Sequence, residues 1–82
     1  SAMRTDLANV NVLLAAEVDL ASAHAANGDL DEGCRLLGET YASLVRIDNR
    51  RGIERAHGAR QRLGRWQETR QIRELDERLN AA

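Results

Sequence analysis

The sequence predicts an all-α fold of four helices arranged as two antiparallel hairpins. Three observations lead there. Proline and Phe are absent from all 82 residues and Tyr and Trp occur once each, so the apolar 43% is drawn mostly from Leu and Ala, residues that lose little freedom in a helix. Apolar positions recur three and four residues apart, the spacing of one helix face. Wherever that spacing slips, the chain carries Gly, Asn or Asp, residues that cap and turn. A chain this short buries only roughly 60% of the surface its unfolded form exposes. One small domain over residues 4–82 is therefore expected, with Ser1-Ala2-Met3 read as a cloning scar and the rest as a fragment of a longer protein.

The first helix is expected from Thr5 to Asn27. Leu7, Val10, Leu14, Val18, Ala21 and Ala25 share one stripe, widened by Leu13, Leu20 and His24. Its second face carries Val12, Ala15, Ala16, Ala23 and Ala26 with Asp19 as the one charge, small residues suited to close helix packing. The face marked by Val12, Ala16 and Ala23 is thus a candidate dimer contact. Asn27-Gly28 closes the helix, because glycine adopts the left-handed conformation that a C-terminal cap needs.

The second helix begins at once, with Asp29 as N-cap and Glu32 three residues on, a spacing that lets each side chain accept from the other's backbone N–H. Leu30, Gly33, Leu37, Thr40, Leu44 and Ile47 then lay a seam that ends near Ile47 or Asp48. So short a link predicts an antiparallel hairpin. Asp48 to Gly52 supplies the next cap, ahead of Ile53, Ala56 and Leu63 on one side of a third helix. A fourth carries Ile72, Leu75 and Leu79. The step from Leu63 to Ile72 is half a turn out of phase with one continuous helix, so Gly64 to Thr69 is expected to be a turn; the alternative is a single helix through it.

Charge is unevenly distributed. Residues 1–49 hold eight acids and three Arg (net −5), residues 50–82 nine Arg and five acids (net +4). Arg51, Arg55, Arg62 and Arg65 fall within about 80° of one another on an ideal helix, opposite the apolar side of the third helix. Aligned guanidinium groups can hold phosphates or an acidic partner; the plainer reading is a solvated face. Glu17 lies between Leu13 and Leu20 in an apolar sector, and Arg60 holds the same position on the third helix. Each needs a partner or a wet groove, which predicts a Glu17 to Arg60 contact across facing helices, or two polar contacts in a binding surface.

Chemistry is poorly represented. His24 and His57 lack a second ligand at helical spacing, and the single Cys34 belongs to no CxxC or Cys-His pattern, so neither metal nor cofactor is expected. Asp29, Asp31 and Glu32 place negative charge near Cys34, which works against a thiolate. No acid and base stand at a spacing that would make an active site. No apolar run of about 18 residues or leader pattern is present, so a cytoplasmic protein without membrane contact is expected.

The stretch from Leu14 to Ile47 resembles one tetratricopeptide repeat. Leu20-Ala21 stand where that family has a Leu-Gly pair, Gly28-Asp29-Leu30-Asp31-Glu32-Gly33 match its turn and the small residue after it, and Leu37 and Thr40 take its aromatic and small packing places. His24 replaces the usual aromatic, Glu17 the usual tryptophan, and no proline closes the repeat. The tail, RRGIERAHGARQRL followed by RQIRELDERL, is similar to C-terminal regions of actinobacterial XRE-type helix-turn-helix transcriptional regulators. These resemblances imply a non-catalytic sensing or assembly module with protein or peptide partners and a homodimer. Nucleic acid would then be contacted elsewhere in the parent protein, direct binding through the Arg stripe being the alternative. Candidate partner-binding residues are Glu17, Arg60, Arg51, Arg55, Arg62 and Arg65.

Overall fold

The computed structural model describes residues 2–81, with side chains from residue 9 onward. Four α-helices follow one another: α1 (Ala2–Ala26), α2 (Leu30–Arg46), α3 (Arg50–Gln61) and α4 (Arg70–Ala81), with a one-turn 3-10 helix at Gly64–Trp66 between the last two. Among the described residues there is no strand. The all-α class and the break between α3 and α4 therefore stand as expected. Leu7, assigned to the α1 stripe, and Ser1 of the expected scar lie outside the described side chains.

The two proline-free turns share one construction. At the end of α1 the Asp29 N–H donates to the His24 carbonyl at 2.8 Å and the Gly28 N–H to Ala25 at 3.1 Å, the paired closure of a helix whose next residue is left-handed. Gly28 holds that position with φ 91°. At the end of α2 the Asn49 and Asp48 N–H groups repeat it onto Leu44 and Val45, with Asp48 left-handed at φ 55°. The next residue then starts the following helix: Asp29 accepts from the Glu32 N–H at 3.2 Å, and Asn49 from Gly52 at 2.9 Å. Only half of the expected reciprocal cap is made, because Glu32 turns to Arg35 instead. Thr69 performs the same service for α4, accepting from the Ile72 N–H at 3.3 Å while donating to the Trp66 carbonyl.

Packing follows from these turns. The contacts of α1 with α2 run antiparallel: Gly33 lies against Ala21 and Ala25, Thr40 bonds Glu17, and the Asn49 amide donates to Asn11. A Cβ on Gly33 would stand 2.8 Å from the Ala21 carbonyl oxygen, so the helices approach as closely as they do because both positions are small. One face of this pair carries α3, which touches both helices, while α4 packs against α2. The sequence paired α3 with α4; in the structure the main neighbour of α4 is α2. The core is Leu14, Val18, Ala21 and Ala25 of α1, Leu37, Tyr41 and Leu44 of α2, Ala56, Ala59 and Leu63, and Ile72, Leu75 and Leu79 of α4, with Cys34.

The stripe expected on α1 is narrower than the sequence implied. Leu14, Val18, Ala21 and Ala25 are buried, but Val10, Leu13 and Leu20 are 40%, 61% and 50% exposed. Leu13 and Leu20 point away from the core because α2 and α3 together cover only the side marked by Leu14 and Val18.

Candidate functional site

Glu17 and Arg60 do not meet, which corrects the expected pair. Glu17 is half-buried at the seam of α1 and α2, where it accepts a hydrogen bond from the Thr40 hydroxyl at 3.1 Å. Thr40 is almost fully buried, so this bond satisfies a hydroxyl that would otherwise be desolvated alone. Arg60 is held by Asp76 of α4 through two parallel bonds, Nε to Oδ1 at 2.5 Å and Nη2 to Oδ2 at 2.9 Å. The guanidinium is mostly buried and the carboxylate half-exposed. Hydrogen bonding to Arg60 holds the Asp76 carboxyl below the usual carboxylate range, and the same bond raises Arg60 further. The partner was findable: Asp76 shares the α4 face of Ile72, Leu75 and Leu79, a lone charge on an apolar stripe just as Arg60 is.

The Arg stripe is not one continuous row. Arg51 and Arg55 lie on α3, Arg62 caps it, and Arg65 belongs to the 3-10 turn. Arg55 reaches Asp19 of α1 at 3.3 Å. Arg65 sits over the Trp66 ring with 4.7 Å between guanidinium carbon and ring centre. What the four share is a neighbour, since all line the cleft along one side of α1. Arg51 and Arg55 border a hollow of about 290 Å³ with Asn11 and Ala15. Arg62 and Arg65 border one of about 320 Å³ with Ser22, Ala26, Leu63 and Trp66. The sequence reading passed over Trp66, whose place beside α1 follows from a turn geometry that periodicity does not specify.

On the crest of α1 beside this cleft, Val12 is 67% exposed and Ala16 and Ala23 are exposed as well. Together with Leu13 and Leu20 they form an apolar face bounded by Asp19 on one side and Glu17 on the other.

Elsewhere the chemistry is structural. Cys34 is buried, and burial followed by the nearby Asp31 pushes its thiol up, so it stays protonated and a poor nucleophile. His57 meets Tyr41 edge to face, Nε2 lying 3.3 Å from the phenol oxygen, a contact between helices that sequence spacing gave no sign of. Among the described residues no cluster of His, Cys, Asp or Glu has the make-up of a metal site, and no helix is long and apolar enough to cross a membrane. No protein family, curated protein or solved structure matches the chain.

Proposed function

We propose that the chain is a non-catalytic protein-interaction and dimerisation module that associates with a second copy through α1. The observation that carries this reading is the uncovered crest of that helix, where Val12, Leu13, Ala16, Leu20 and Ala23 stand in solvent. A helix apolar on nearly every side belongs in a core or an interface, and a contiguous apolar face on a small protein marks a contact surface. The opposite end of the molecule differs: the outer side of α4 is Arg70, Arg73, Glu74 and Glu77, all exposed. One adhesive face per chain favours a closed twofold dimer over an open filament. The likeness of the tail to XRE-type regulators supplies a setting, the assembly or sensing part of a bacterial transcriptional regulator whose DNA contacts lie in another part of the protein.

Light scattering or sedimentation at tens of micromolar tests it. The expected result is a dimer that Ala16→Arg converts to a monomer without loss of helicity. A parent chain that stays monomeric overturns the reading, and an intact Ala16→Arg dimer overturns the assignment of the face. Arg51, Arg55 and Arg62 keep a second reading in play, direct binding to nucleic acid. It requires affinity for DNA that falls steeply with salt.

A further inference from the structure

We infer that the cleft between α1 and α3 is a docking groove for an acidic, extended protein segment that places one apolar side chain against Trp66. This deepens the reading of the chain as an interaction module but uses a surface other than the dimer crest. Charge is the first reason. Arg51, Arg55, Arg62 and Arg65 line the cleft, and the carboxylate placed against them is Asp19, bonded to Arg55 alone; Glu54 lies further out on α3. Three guanidinium groups are thus left to a partner, and planar guanidinium matches carboxylate geometry with two bonds.

Shape is the second reason. The α1 wall of the cleft is Ala15, Ser22 and Ala26, and on α3 Gly58 presents bare backbone, where an added Cβ would meet only Arg62 at 3.8 Å. Small walls let a chain settle between two helices already in contact, and that space admits an extended strand rather than a third helix. The hollow of about 320 Å³ at the far end is floored by Leu63 and Trp66, room for a Leu-sized side chain. Arg51 and Arg62 stand about 16 Å apart along the helix axis, which an extended chain spans in about five residues. The segment therefore carries acidic groups about five residues apart, with its apolar anchor beside the second.

Nucleic acid fits less well. Asp19 stands among the arginines, Arg65 is committed to the Trp66 ring, and the chain as a whole is net −1, so no extended positive field draws in a polyanion.

Trp66 is the only tryptophan, so its emission reports on the anchor pocket without a label. The full chain is titrated with three probes: a synthetic peptide of about ten residues built to that spacing, the same peptide with Asn and Gln for its acids, and a single-stranded oligonucleotide of matched charge. Anisotropy of labelled probes gives affinity in parallel, and every titration is repeated in Ala16→Arg, so that peptide binding and self-association are read separately. The acidic peptide is expected to shift Trp66 emission and to bind about tenfold or more tighter than its amide form. Arg51→Gln and Arg62→Gln should each weaken it about fivefold or more while leaving the thermal melt unchanged. Equal binding of acid and amide peptides, Arg variants without effect, binding that leaves Trp66 emission unmoved, or an oligonucleotide that binds more tightly than the peptide would each overturn the proposal.

Discussion

Asp48 holds a φ of 55° in the turn between α2 and α3, the position that Gly28 fills at 91° between α1 and α2. An L-residue there meets steric cost that glycine avoids. Asp48→Gly should therefore stabilise by about 0.5–1 kcal/mol, and Gly28→Ala should destabilise by about 1 kcal/mol, both read from denaturant midpoints. Opposite signs at two equivalent positions would be hard to obtain from a general effect of glycine. The Arg60 and Asp76 pair supplies a pH dependence. Because Asp76 is held below its unfolded value of about 3.9, its contribution is complete above that pH and disappears as pH falls through the lower folded value. Asp76→Asn should cost about 1 kcal/mol at pH 7, between an exposed and a fully buried pair, and the cost should shrink toward pH 3; a pH-independent difference would remove the ion pair from the stability of the fold. The sequence marked Arg60 as needing a partner but chose Glu17, because a residue's own helix face reveals that it is desolvated and says nothing about which helix crosses it. Thr40, whose hydroxyl meets Glu17, was legible only as a small seam residue.

At the scale of elements, local chemistry was the readable part. Asp29 and the Asp48 to Gly52 stretch carry their capping role in adjacent residues, so both turns and the break after Leu63 followed from short-range pattern alone. What the sequence overstated was α1. Its periodicity makes Leu13 and Leu20 look as buried as Leu14 and Val18, since apolar residues on nearly every side leave the pattern no polar face to mark the outside. Substitution separates the two sets: Leu37→Ala, at a buried seam position, should cost roughly 3 kcal/mol, whereas Leu20→Gln should change the stability of the monomeric Ala16→Arg background by less than about 0.5 kcal/mol. A large loss from Leu20→Gln in that background would mean that the crest is covered within one chain. Gly33→Ala offers the opposite contrast. Alanine favours a helix over glycine by about 1 kcal/mol, yet here its Cβ meets the backbone of Ala21, so the variant should be less stable by about 1–3 kcal/mol. A more stable variant would show that α1 and α2 can separate without loss.

The whole molecule is a slab of 46 × 26 × 16 Å, little more than one helix and its side chains in its thinnest direction. That shape explains how 82 residues can contain four well-capped helices and still leave Leu13 and Leu20 in water. A slab of this thickness has no interior deep enough to cover a helix on all sides, so α1 surrenders one face to solvent or to a partner. If the partner is a second copy, stability becomes a function of concentration, because dimer formation draws the folded state forward by mass action. Each tenfold rise in protein concentration adds about 1.4 kcal/mol per dimer, or about 0.7 kcal/mol per chain, and at this size that corresponds to a midpoint shift of about 3–5 °C. Melting followed by circular dichroism from a few micromolar to a few hundred should show that climb in the parent and a flat midpoint in Ala16→Arg. A parent midpoint that does not move over that range would mean the crest of α1 is stable in water by itself, and the slab would then be the complete folding unit.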